Sequence, residues 1–61
     1  MTTFQIYDET DNELRKGFYM TADNKEEAEA KAVESGGCAW YGIQKPKAYT
    51  QEEVDAVLAA R

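Results

Sequence analysis

The sequence predicts a small α+β domain in which a three-stranded antiparallel sheet carries one packed helix and a short C-terminal helix, in the order ββαβα. Three observations predict this fold. Two early segments alternate apolar and polar residues, an Ala- and Glu-rich segment ends at a Gly-Gly pair, and a capping motif precedes apolar residues at helical spacing near the C-terminus. A chain of 61 residues has room for one domain, which we assign to residues 1–61.

The first two strands are predicted to form a hairpin. Residues 3–7 alternate, with Phe4 and Ile6 on one face, and residues 14–21 resume the pattern after a polar stretch. That stretch, residues 8–13, is rich in Asp and Asn, which tolerate the backbone conformations of turns. We therefore expect two antiparallel strands with an acidic turn at their tip.

The first helix is predicted to begin after Asp23, with Glu26 completing a capping box. Its sequence is rich in strong helix formers and runs to Ser35, where Gly36 and Gly37 supply a stop. We therefore expect one helix that crosses the sheet and returns the chain toward the hairpin tip.

A third strand is predicted over residues 38–44, because Ala39, Tyr41 and Ile43 alternate with the residues between them. Pro46 is expected to end that strand. The strand is expected to pair antiparallel with the first one. Thr50 and Glu53 form a second capping box, which predicts a short helix to the C-terminus.

Composition and charge restrict the classes of partner. The net charge is −5, the mean hydropathy is −0.73, and no run of eighteen apolar residues is present. An acidic surface repels DNA and anionic lipid, so we expect no direct nucleic-acid binding and no membrane binding. The first residues lack the basic and apolar regions of a secretory signal, which favours a cytoplasmic protein.

Residues that could carry catalysis are scarce. The chain has no His, and its single cysteine, Cys38, is interpreted as a small buried apolar residue. Adjacent glutamates near both helix starts are interpreted as helix-dipole partners rather than as an acid–base pair. The acidic turn lacks the glycine and the late glutamate of a calcium loop. We therefore expect no enzymatic activity, no cofactor and no metal.

The distribution of charge suggests a binding surface. Residues 1–37 hold nine acids and four bases, whereas residues 38–61 hold three of each. The excess therefore falls on the hairpin tip and the first helix, which the predicted topology brings close together. A stiff array of carboxylates at that end could resemble DNA phosphates, although a merely solvated helix face is the alternative. The predicted partner-binding residues are Asp8, Glu9, Asp11, Glu13, Glu26, Glu27, Glu29 and Glu34.

Aromatic residues give a second hypothesis. Tyr7, Tyr19, Trp40 and Tyr41 fall on predicted strands and could form a protein-contact face or a homodimer interface. Stacking on nucleic-acid bases is disfavoured because no basic stripe accompanies them. Of the two states, we expect the monomer rather than the dimer.

In whole-chain length, acidity and ββαβα pattern, the sequence resembles the small acidic phage-encoded anti-CRISPR proteins that inhibit type I Cascade complexes. The resemblance implies a non-enzymatic inhibitor acting in the cytoplasm of a bacterial host. It implies a partner with a Lys/Arg-rich nucleic-acid-binding surface, on which the inhibitor blocks target DNA binding.

Overall fold

The structure, a computed structural model, describes residues 1–60 and confirms the α+β class with a three-stranded antiparallel sheet. The strands lie in the order β2-β1-β3, so that β1 is central and the two others are edges. The elements in chain order are β1 (Thr2–Asp8), β2 (Gly17–Ala22), α1 (Lys25–Glu34), α2 (Gly37–Tyr41), β3 (Pro46–Tyr49) and α3 (Gln51–Ala59).

The predicted hairpin is present, but its second strand is shorter than expected. Phe4 lies opposite Met20, and Ile6 lies opposite Phe18, which gives the sheet one apolar face. The strand begins at residue 17 rather than 14, because Leu14 adopts a left-handed backbone with φ of 51° and is buried in the connecting loop. The loop between the strands therefore spans residues 9–16, which we call the tip loop.

Helix α1 packs on the apolar face of the sheet through two alanines. Ala28 and Ala32 are fully buried, and their small side chains let the helix lie close to the strands. The cap is Asn24 rather than the predicted Asp23, since the Asn24 side chain accepts a 2.8 Å hydrogen bond from the N–H of Glu27. Asp23 is exposed and lies just outside the helix.

The prediction of a strand over residues 38–44 is wrong. The chain forms the five-residue helix α2 between Gly36 and Gly42, whose φ angles are 80° and 72°. The left-handed conformation at both ends folds the segment back on itself instead of extending it. An added Cβ at Gly37 would lie 2.7 Å from the Phe18 ring, so a glycine at this position lets α2 pack closely against Phe18.

The third strand follows α2, and Pro46 begins it rather than ending it. Ala48 lies opposite Ile6, and Pro46 lies opposite Asp8, so the predicted antiparallel pairing with the first strand is confirmed for a different segment. Proline is tolerated at this position because β3 is an edge strand with one side free of the ladder.

Helix α3 begins with the predicted capping box. The Thr50 hydroxyl accepts from the N–H of Glu53, and the Glu53 carboxylate accepts from the N–H of Thr50. The helix contacts β1 and β3. The main core lies between the sheet and α1 and consists of Phe4, Ile6, Ala22, Ala28, Ala32, Cys38, Ile43 and Ala48.

Candidate protein-binding surfaces

Asp8 is the first residue of the predicted acidic site, and both oxygens of its carboxylate accept hydrogen bonds from its own chain. One oxygen accepts from the N–H and hydroxyl of Thr10 at 3.0 and 2.7 Å, and the other accepts from the N–H of Gln44 at 2.9 Å and of Lys45 at 3.4 Å. These bonds, the one from the Thr10 N–H foremost, hold the pKa of Asp8 well below its usual range. Asp8 therefore joins the tip loop to the segment before β3.

The other acids of the tip loop are also paired. Asp11 accepts from the N–H groups of Arg15 and Lys16 at 2.9 and 3.0 Å. Glu13 forms an ion pair with Arg15, and Glu9 lies 4.0 Å from the ammonium of Lys45. Four carboxylates therefore share this region with three cations, which leaves a local charge of −1.

The acids of α1 point in different directions. Glu27 pairs with Lys31 at 3.1 Å, and the Lys31 ammonium donates to the carbonyl of Thr21 on β2. Glu29 instead accepts a 2.9 Å bond from the N–H of Ala48 on β3. Because β2 and β3 are opposite edges of the sheet, Glu27 and Glu29 lie on opposite flanks of the helix.

Glu26 and Glu34 complete the predicted set. Both side chains are exposed and form no hydrogen bond or ion pair with any group in residues 1–60. Over the same range, no acid of α1 shares such a contact with the tip loop. The structure therefore brings together Asp8, Glu9, Asp11 and Glu13, and it separates the acids of α1 into two flanks and an outer surface.

Three acids outside the predicted set, Asp23, Glu52 and Glu53, lie with Glu26 at the other end of the molecule. The ammonium of Lys25, at the start of α1, lies 2.5 Å from the Glu53 carboxylate at the start of α3. This contact lowers the pKa of Glu53, with the Lys25 bond as the largest cause. The first turns of the two helices are therefore neighbours. We call their acids the helix-end patch: Asp23, Glu26, Glu52 and Glu53.

The helix-end patch carries more excess charge than the tip loop. Its four carboxylates are accompanied by one cation, Lys25, which gives a local charge of −3. The side chains of Asp23, Glu26 and Glu52 are exposed and make no hydrogen bond or ion pair within residues 1–60. The net charge of residues 38–61 is zero, so the charge count along the chain gave no sign of this patch. The Thr50 capping box nevertheless indicated two glutamates in one helical turn.

The sheet face opposite α1 carries tyrosines, as the second hypothesis expected for Tyr7 and Tyr19. The rings of Tyr7 and Tyr49 meet edge to face at 5.8 Å, and the Lys47 ammonium lies 5.2 Å from the Tyr49 ring centre. The Tyr7 hydroxyl donates to Gln5 at 2.7 Å. Tyr19 is 68% exposed, so β2 leaves this face partly uncovered.

Hydrogen-bonded side chains link β1 to helix α3 on the same face of the sheet. Gln5 is 7% exposed, and its amide nitrogen donates to the side-chain oxygen of Gln51 at 2.7 Å. Gln51 in turn donates to Asp55 one helical turn later at 2.9 Å. Helix α3 therefore covers the tyrosine face near β1 and β3, and the uncovered part lies at β2.

Trp40 and Tyr41 do not belong to the sheet face, because both lie in α2. Tyr41 stacks on Phe18 with ring centres 5.1 Å apart, on the core side of the sheet. Trp40 is 83% exposed. Val33, in the last turn of the helix that α2 packs against, is 57% exposed. An exposed apolar region therefore lies at this end of α1.

A shallow depression of about 310 Å³ lies beside the tip loop. The Asp8 and Asp11 carboxylates in it bond to backbone N–H groups, and Arg15 is paired with Glu13. The lining residues are Asp8, Thr10, Asp11, Arg15, Lys16, Tyr41, Gly42 and Ile43.

Other chemical features within residues 1–60 are few. Cys38 is buried, and desolvation raises the pKa of its thiol. No three acidic or cysteine side chains in the described part of the chain are grouped so as to hold a metal ion. None of the helices there is long and apolar enough to span a bilayer. Comparison with protein-family models, curated proteins and solved structures gives no match to this chain.

Proposed function

We propose that this protein is a non-enzymatic inhibitor that binds the Lys/Arg-rich, nucleic-acid-binding surface of a partner protein and excludes DNA from it. The observation that carries the proposal is the helix-end patch, where four carboxylates accompany one cation. The first turns of α1 and α3 are joined by the Lys25–Glu53 ion pair. A basic surface is the electrostatic complement of such a patch.

The helix-end patch suits this role better than the tip loop. Asp8 and Asp11 direct their oxygens at backbone N–H groups of their own chain, and Glu9 and Glu13 face cations. Such carboxylates retain their charge but have fewer free lone pairs for a partner. Asp23, Glu26 and Glu52 keep theirs, so they can accept charge-assisted hydrogen bonds from Lys or Arg of another protein.

A more specific form of this proposal rests on the resemblance to anti-CRISPR proteins. The partner is then a type I Cascade complex in the cytoplasm of a bacterial host, and the inhibitor is a phage product that occupies the path of the target DNA. The negative net charge supports this proposal, because it is opposite in sign to the charge of a DNA-binding surface. DNA-binding channels recruit phosphates by releasing counterions, and a protein with exposed carboxylates competes for the same cations.

A competition assay with a matched control tests the proposal. Purified Cascade is titrated with labelled target DNA in the presence of the parent protein or of two triple variants. One variant neutralises the helix-end patch (Asp23→Asn, Glu26→Gln, Glu52→Gln), and the control neutralises three acids outside it (Glu9→Gln, Glu13→Gln, Glu34→Gln). Both remove three charges. We expect the first to weaken inhibition on the order of tenfold more than the second, and inhibition to fall steeply with salt.

Equal loss in both variants would mean that net charge, and not the helix-end patch, governs binding. No competition by the parent protein would reject Cascade as the partner. The same assay on other basic DNA-binding complexes of a bacterial host then tests the broader proposal, which fails if none of them is inhibited.

A second candidate function is supported by the exposure of Trp40. An indole that is 83% exposed contributes little to the fold, and tryptophan is among the residues that most often dominate protein interfaces. In this alternative, α2 inserts Trp40 into an apolar pocket of a partner. Binding would then be lost in Trp40→Ala and would change little with salt, which distinguishes it from binding through the helix-end patch.

A further inference from the structure

The two outer edges of the sheet differ in whether their backbone groups are free. On β3, the N–H of Ala48 donates to the Glu29 carboxylate at 2.9 Å, and Pro46 has no N–H to offer. Proline and a charged side chain at an edge are devices that prevent another strand from pairing there. The β3 edge therefore disfavours pairing with another strand.

The same hydrogen bond fixes the direction of every backbone group in the sheet. Because Ala48 directs its N–H outward, its opposite residue Ile6 bonds to β2 and not to β3. Ile6 lies opposite Phe18, so Phe18 and the alternate residues of β2 face β1. The N–H and C=O groups of Gly17, Tyr19 and Thr21 therefore point away from the sheet.

The outer edge at β2 is open over most of its length. The Lys31 ammonium reaches the carbonyl of Thr21 at 3.4 Å, which is a long bond. No side chain in residues 1–60 bonds to the outward backbone groups of Gly17 or Tyr19. The Tyr19 side chain beside them is 68% exposed, and the strand contains no charged residue. Such an edge is a template for a further strand.

We propose that the β2 edge pairs with the β2 edge of a second copy of this chain, in antiparallel register about Tyr19. Residues with outward backbone groups must face one another in such a pair. Tyr19 therefore lies opposite Tyr19 of the second copy, and Gly17 lies opposite Thr21. This register overlaps residues 17–21 of both strands and produces one continuous six-stranded sheet.

Side chains on both faces match in this register. Phe18 lies opposite Met20 of the second copy on the helix side, and both residues are only half-buried in the single chain. The two Tyr19 side chains meet on the tyrosine face, where an aromatic cross-strand pair is favourable. Continued past the strand ends, this register brings Arg15 of the tip loop, which pairs with Glu13 in the single chain, near Asp23 of the second copy, so that opposite charges approach each other twice. This complementarity favours a second copy over an unrelated strand.

Pairing requires one local change. The Lys31 ammonium must leave the carbonyl of Thr21, which then accepts from Gly17 of the second copy. Lys31 also pairs with Glu27 one helical turn away, so its charge stays neutralised. This inference departs from the monomer that the sequence suggested. It does not depend on the proposed function, because it concerns the protein alone.

Sedimentation equilibrium of the full chain tests the pairing. The average mass of the parent is expected to rise from 6.9 kDa toward twice that value as its concentration approaches millimolar. Tyr19→Lys places two like charges opposite each other and is expected to raise the dimer Kd on the order of tenfold or more, whereas Tyr19→Phe leaves it nearly unchanged. A parent mass that stays at 6.9 kDa at all concentrations overturns the proposal.

Two further measurements identify the interface even where a variant folds poorly. Amide hydrogen exchange of the parent is expected to slow at Tyr19 when the protein is concentrated, because that N–H becomes bonded only in the dimer. Asp23→Arg is expected to weaken the dimer, and Arg15→Asp in the same chain is expected to restore it. A dimer with unchanged exchange at Tyr19, or one without this charge-swap rescue, contradicts pairing through β2.

Discussion

The Glu29 carboxylate in α1 accepts a 2.9 Å hydrogen bond from the backbone N–H of Ala48 in β3. A helix side chain therefore satisfies an edge strand that has no neighbouring strand on that side. The charge distribution along the chain predicted a partner-binding role for Glu29, whereas this bond gives it a role in the fold. The same bond fixes which backbone groups of the whole sheet point outward.

Loss of this bond is expected to destabilise the protein. Glu29→Ala leaves the half-enclosed N–H of Ala48 without its acceptor, and we expect a loss of about 1–2 kcal/mol in the free energy of unfolding. Glu29→Gln retains a side-chain oxygen and should lose less. Urea unfolding measures both, with the exposed Glu26→Gln as the control. An effect of Glu29→Ala no larger than that of the control would show that the bond is unimportant.

Stability is expected to fall at acidic pH through Asp8. Its pKa is lower in the folded chain than in the unfolded one, so its contribution is complete above its usual pKa and declines as the pH falls below about 4. Asp8→Asn lacks this contribution at every pH. The difference in unfolding free energy between parent and variant should therefore be constant above about pH 5 and narrow below about pH 4. Urea titrations across this range measure it, and a difference independent of pH would contradict the assignment.

Asp23 and Asn24 are neighbours at the start of α1 and are expected to contribute differently to stability. Asn24 caps the helix by accepting from the N–H of Glu27, whereas Asp23 is exposed. Asn24→Ala is expected to lower the unfolding free energy by about 1 kcal/mol, and Asp23→Ala by about 0.5 kcal/mol or less through the helix dipole. Thermal unfolding followed by circular dichroism compares them. The reverse order would place the cap at Asp23, as the sequence alone suggested.

Gly17 is required by close packing in the hairpin. A Cβ at this position would lie 2.2 Å from the carbonyl oxygen of Ile6 and 2.5 Å from the Tyr7 ring. Gly17→Ala is therefore expected to lower stability by about 2 kcal/mol or more, since backbone must shift. Gly36→Ala is the matched control. It has open space but a φ of 80°, so about 1 kcal/mol is expected. A loss at Gly17 no larger than the loss at Gly36 would show that the hairpin relaxes around the added Cβ and that close packing does not require this glycine.

Trp40 is the single tryptophan of the chain, so the tryptophan fluorescence of the protein reports directly on its exposure. Because its side chain is 83% exposed, its fluorescence should be quenched by acrylamide nearly as strongly in the folded protein as in urea. Trp40→Ala should change the unfolding free energy by about 0.5 kcal/mol or less. A strongly protected indole, or a large loss of stability, would show that Trp40 belongs to the packed structure.

Some of the fold could be read from local patterns. The alternation that includes Phe4 and Ile6 predicted the central strand, and the motif of Thr50 and Glu53 predicted the start of α3. Both signals depend on neighbouring residues alone, so tertiary packing did not alter them. Alternation over residues 38–44 predicted a strand wrongly, because so short a run does not distinguish a strand from a helical turn such as α2.

The candidate site was less predictable than the fold. Charge counted along the chain placed the acidic surface at the tip loop and α1, but Arg15 within the loop pairs with Glu13, and folding brings Lys45 from another segment to Glu9. The helix-end patch depends on the contact between Lys25 and Glu53, which are far apart in sequence. A count along the chain contains no information on such a contact.

The sequence by itself determined the α+β class, the hairpin, the starting point of the last helix and the net charge, because these follow from composition and from spacing over a few residues. Only the tertiary structure decided which carboxylates bond to their own backbone, which edge of the sheet stays open and where excess charge accumulates. The physical reason is that hydrogen bonds and Coulomb interactions depend on distances in space, and folding brings residues such as Glu29 and Ala48 together from separate elements.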